Sequence, residues 1–108
     1  MKHINYSFSN EDVVTICFTL SVLPELELEE SDEQADINYL LCNSAAEKLS
    51  SQQTNISANE FRVIYSSLLA AQMINRGELI VDTELRKECS NYLFSINRLV
   101  SAFSKQFE

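Results

Sequence analysis

Seven apolar residues near the C-terminus constrain this chain more than any other feature. Leu85, Cys89, Tyr92, Ile96, Leu99, Phe103 and Phe107 recur at intervals of 4, 3, 4, 3, 4 and 4. That rhythm sets them on one side of an α-helix for about six turns. Asp82 or Thr83 is placed to cap its start, and Glu84 in the first turn suits the positive end of the helix dipole. A helix is predicted over about residues 83 to 105. The same 3-4 alternation fits a coiled-coil-like seam that meets a neighbouring helix at a shallow angle.

The segment before it is bounded as plainly. Ser57 followed three residues later by Glu60 is a capping-box pattern, and Asn75-Arg76-Gly77 puts a cation in the last turn and the only glycine where a left-handed residue closes a helix. Between them, apolar residues from Phe61 to Ile74 cover most of the circumference and leave a narrow polar strip of Asn59, Arg62 and Ser66. A helix apolar nearly all round, here about 58 to 76, belongs at the centre of a bundle. Upstream, Ile37, Leu40, Leu41, Ala45 and Leu49 define another amphipathic helix at about 33 to 52, and residues 50–55 read as its end and a connecting loop. The link Leu79-Ile80-Val81 is too apolar for an idle loop. It is expected under the bundle or in a partner.

The first 30 residues support two readings. Ser9-x-x-Asp12 leads as a capping box into an apolar run that Pro24 stops, giving a helix at about 10 to 23. Yet Val14, Ile16, Phe18, Leu20 and Val22 also alternate with more polar residues, as do Ile4, Tyr6 and Phe8, which would make a hairpin. The helix is preferred, because a lone two-stranded sheet is only marginally stable and nothing downstream offers a further strand. The expected fold is thus all-α, a small four-helix bundle formed by residues 1–108 as one domain, with residues 1–9 extended or mobile. The alternative is an α+β fold with the hairpin packed on three helices.

Composition narrows function mainly by exclusion. With 108 residues the chain buries one core, and one glycine and one histidine leave no phosphate-cradling loop and no histidine cluster for a metal. Cys17, Cys42 and Cys89 are odd in number and form no C-x-x-C pair, so they read as free thiols, with Cys42 and Cys89 in the core. The run from Val13 to Leu23 follows acids, not bases, and is far short of the roughly 20 apolar residues a membrane span needs, so a cytoplasmic protein with no membrane segment is expected. No nucleophile-base pair is visible. No enzyme activity, cofactor or metal is expected.

The charge is what asks for a partner. Of 16 acids against 8 bases, seven acids and no base fall within residues 25–36, while the rest of the chain is close to balanced. A block of like charge repels itself unless it is solvated or neutralised. Asp32, Glu33 and Asp36 could simply favour the start of the second helix. The functional reading is a docking surface for a basic protein, with Leu26 and Leu28 as apolar anchors among Glu25, Glu27, Glu29 and Glu30. The chain is accordingly expected to be a non-enzymatic acidic binding module: an inhibitor, an immunity-type antidote or an adaptor. The alternatives are a homo-oligomerising structural module, most simply a homodimer, and a nucleic-acid mimic that blocks a nucleic-acid-binding protein. Direct binding to nucleic acid is not expected from a chain of this charge, and the missing loop spacing argues against calcium.

Overall fold

The computed structural model describes residues 3–5, 8–26, 31–53 and 55–107. It is an all-α bundle in which helices α1 (Asn10–Val22), α2 (Asp32–Ser50), α3 (Ala58–Asn75), α4 (Thr83–Ser90) and α5 (Leu93–Phe107) follow one another, with a 3-10 turn at Leu23–Leu26. Each of the first four starts where a side chain takes up an orphan backbone N–H. Ser9, Ser31, Ser57 and Asp82 accept from Asp12, Gln34, Glu60 and Leu85 respectively, at 2.8–3.1 Å. Glu60 answers by accepting from the Ser57 N–H at 2.9 Å, which completes the expected capping box. At the far end of α3, Gly77 takes φ +77°, and Glu78 N–H returns to the Met73 carbonyl at 2.9 Å. That is the left-handed closure for which the only glycine was placed.

Helix α3 is central, packed against α1, α2, α4 and α5. Phe61 and Phe103 are fully buried and stack with ring centroids 4.5 Å apart, joining α3 to α5. Ile64, Leu68, Ala71 and Ile74 of α3 meet Ile16 and Leu20 of α1 and Ile96 and Leu99 of α5 in one continuous core. Thr19 and Ser67, both buried, share a hydroxyl contact of 2.9 Å between α1 and α3.

Three expectations are corrected. The C-terminal helix is two helices, because the chain tightens to i→i+3 bonds at Asn91 and Tyr92. Ser90 turns its hydroxyl onto the Lys87 carbonyl, and Asn75 Nδ2 donates to the Cys89 carbonyl at 3.2 Å, so the side chains compete for the acceptors a straight helix would use. The apolar stripe survives the break: Cys89, Ile96, Leu99 and Phe103 are all buried. Second, residues 55–57, of which Asn55 was expected in the connecting loop, are extended. They form strand β2 (Asn55–Ser57), antiparallel to β1 (His3–Asn5), with Ile4 opposite Ile56. The alternative hairpin, with Val14 to Val22 as its second strand, is replaced by α1, and the strand that residues 3–5 pair with lies just before α3. Third, α2 buries its apolar stripe over only half its length. Cys42, Ala45 and Leu49 are buried, whereas Ile37 and Leu40 are 46 % and 66 % exposed.

Helix directions follow from these contacts. The β1–β2 pairing and the Thr19–Ser67 contact run α1 alongside α3 in the same sense. Ser44 and Lys48 both reach Glu60, so the end of α2 meets the start of α3 and the two run oppositely. The 3-10 turn and the beginning of α2 therefore lie where α3 finishes.

Candidate docking surface

The acidic segment leads into the least supported helix of the bundle. From Ser31 to Leu41 no residue of α2 is buried, and burial begins at Cys42. Asp32, Glu33 and Asp36 are all exposed. Helical spacing places Asp36 beside Tyr39 and Leu40, and Glu33 beside Ile37. Tyr39 is 53 % exposed, so about two and a half turns interleave carboxylates with bare apolar side chains. Among the described residues no lysine or arginine pairs with these acids; the ion pairs are Lys48–Glu60 and Arg98–Asp12.

The other predicted site residues divide. Glu25 is exposed on the 3-10 turn, while Leu26 is half-buried and packs inward against the core. Glu27, Leu28, Glu29 and Glu30 lie outside the described residues. Leu79 and Val81 are half-buried, and Ile80 between them is 91 % exposed beside Asp82, across a small recess from Glu25 and Leu26.

Beside α2 runs an open trough of about 680 Å³, whose other wall is α3. One stripe of α3 lines it from end to end. Asn59, Arg62 and Ser66, the polar strip expected from the sequence, lie in its first half, and Leu69, Ala70 and Met73 in its second. Ile37 and Leu41 of α2 face them, and Leu23 lies at the wall from the turn before. Sequence reasoning placed Ile37 and Leu40 on the apolar stripe of an amphipathic helix, without seeing that they stay open. The warning in the sequence was a stripe widened by Tyr39 and Cys42, which one side of a helix cannot bury in full.

The base of this surface is held by Glu60. Its side chain is 4 % exposed and accepts from Lys48 Nζ at 2.7 Å, from Ser44 Oγ and from the Ser57 N–H. Burial pushes its carboxyl up, but these hydrogen bonds, led by Lys48, overcome it and hold the group down at about 2. Lys48 also donates to the Asn55 carbonyl at 3.2 Å, so α2, β2 and α3 meet at one polar knot.

The thiols sit as expected. Cys42 and Cys89 are buried, and burial, with Glu88 adding to it, raises the Cys89 pKa above its ordinary value and keeps it a thiol. Among the described residues no three His, Cys, Asp or Glu side chains converge as a metal site, and no described helix is long and apolar enough to cross a membrane. Comparison with protein-family models, curated proteins and solved structures returns no match.

Proposed function

We propose that this chain is a non-enzymatic protein-binding module that docks a basic partner protein through residues 25–36 and the first turns of α2, in the manner of an inhibitor, an antidote or an adaptor. The observation that carries this reading is the unburied half of α2, where exposed Asp32, Glu33 and Asp36 are followed within two turns by exposed Ile37, Tyr39 and Leu40. Exposed apolar side chains give a partner area to bury, and the surrounding carboxylates select it by charge and speed its arrival. A second copy of the chain is a poorer occupant. Two-fold pairing through this face would set the same acids against one another, and like charges in an interface are costly. On this reading the module acts in the cytoplasm, where Cys17, Cys42 and Cys89 stay free.

The test has two parts. The native protein is recovered from its own cells at low salt and whatever accompanies it in stoichiometric amount is identified by mass. The complex is then rebuilt with the Asp32→Lys, Asp36→Lys double variant. A basic companion whose affinity falls at least about tenfold with the variant, with a flattened salt dependence, is the expected result. A companion bound equally well by both proteins removes the acidic segment from the function.

A further inference from the structure

Helix α2 has three sides with different surroundings. Cys42, Ala45 and Leu49 face the core, and Gln34, Ile37, Asn38 and Leu41 line the trough toward α3. At 3.6 residues per turn, the side left over carries Asp32, Asp36, Tyr39, Leu40, Asn43 and Glu47, all exposed. This outward stripe is roughly 22 Å long at 1.5 Å per residue, and it runs past the acidic segment to the far end of the helix. Carboxylates open it, Tyr39 and Leu40 follow at 53 % and 66 % exposure, and Asn43 and Glu47 close it.

The stripe is anionic at both ends. Helix α2 holds four acids and one base, and the base, Lys48, is turned away to Glu60 and the Asn55 carbonyl. Among the described residues no lysine or arginine pairs with Asp32, Asp36 or Glu47. The positive end of the helix dipole is worth roughly half a charge, so it offsets only part of the three carboxylates of Asp32, Glu33 and Asp36. Glu47 lies near the other end, where the dipole adds to its charge.

We infer that the outward stripe of α2, and not the trough, is the contact face for the basic partner, with Tyr39 and Leu40 as its apolar centre and Glu47 as its far carboxylate. This rests on the docking reading above and adds which side of α2 is used and how the partner is built. Charge complementarity defines the occupant as a protein surface with an apolar patch and Lys or Arg on both sides of it. Counted along the helix from Leu40, those bases fall roughly 6 Å away toward Asp36 and roughly 10 Å away toward Glu47. A large aromatic side chain at the middle of a polar rim is the pattern of an interface hot spot. Nucleic acid and anionic lipid are repelled by the same carboxylates. From α2 the trough receives no carboxylate, so it offers a basic partner no charge to read.

The experiment pans a phage-displayed library of random peptides of about 16 residues, long enough to span the stripe as a helix, against the full-length protein. Winners are measured by fluorescence anisotropy and should carry apolar residues with Lys or Arg on both sides. Tyr39→Ser should weaken them at least about tenfold and Glu47→Lys about fivefold, while Ile37→Ser on the trough side changes binding by less than about twofold. Far-ultraviolet circular dichroism should be unchanged in all three, since the residues are exposed. The inference is overturned by a library that yields no binder, by winners that ignore Tyr39→Ser or Glu47→Lys, or by winners that need Ile37. Winners that lose affinity with Asp32→Lys, Asp36→Lys but ignore Tyr39→Ser and Glu47→Lys remove the outward stripe and leave the acidic segment as the docking surface. Winners indifferent to every acid reversal overturn both.

Discussion

Replacing Glu60 by glutamine takes one charge out of the knot where α2, β2 and α3 meet. The amide oxygen can still accept from the Ser57 N–H, so the capping box survives in outline and the charge is isolated. A carboxyl held at about 2 in the folded chain against an ordinary 4.5 corresponds to about 3 kcal/mol of folding stability at neutral pH. That is an upper figure, because Lys48 keeps 28 % of its side chain exposed and water screens part of the attraction. The folded pKa is depressed, so this contribution is complete above 4.5 and is lost as the pH falls toward 2. At pH 3 the unfolded chain has already taken up its proton, and about 2 kcal/mol is gone. Urea denaturation followed by circular dichroism at pH 7 and pH 3 reads this directly. Glu60→Gln should be less stable than wild type by up to about 3 kcal/mol at pH 7 and by up to about 1 kcal/mol at pH 3. A gap of the same size at both pH values, or one below about 1 kcal/mol at neutrality, would refute the electrostatic account and leave Glu60 as a plain cap.

Three more outcomes follow from the geometry. Phe103→Ala empties the ring site against Phe61 and should cost about 3–5 kcal/mol, measured by thermal or urea denaturation, a large share of what a domain of this size has. Gly77→Ala forces a side chain to φ +77°, with only Arg86 Nη2 near the new methyl at 3.7 Å; the expected loss is about 1 kcal/mol, from backbone strain and not from a clash. Leu40→Ser should change stability by less than about 0.5 kcal/mol, because the residue is exposed, yet weaken the complex with the partner in a binding titration.

Most of the bundle was legible because its signals were local. Ser9, Ser57, Asp82 and Gly77 mark helix ends through bonds made within a few residues, and the intervals from Leu85 to Phe103 survive even across a broken helix. What escaped depends on distant partners. The ladder of residues 3–5 with 55–57 joins two segments too short to carry a period, and the break at Asn91 rests on Asn75 from another helix. The proposed docking surface was half legible. Its acids stand out in composition, but whether Ile37 and Leu40 lie under a neighbour or in the open depends on how far α2 extends beyond the helices that cover it.

The strand at residues 3–5 stitches the beginning of the chain to the junction that precedes α3, across about fifty intervening residues. During synthesis that stitch cannot close until Ile56 has left the ribosome, by which time α1 and α2 are already outside. The opening residues therefore have to wait, and the bundle is sealed by its first segment only after its middle exists.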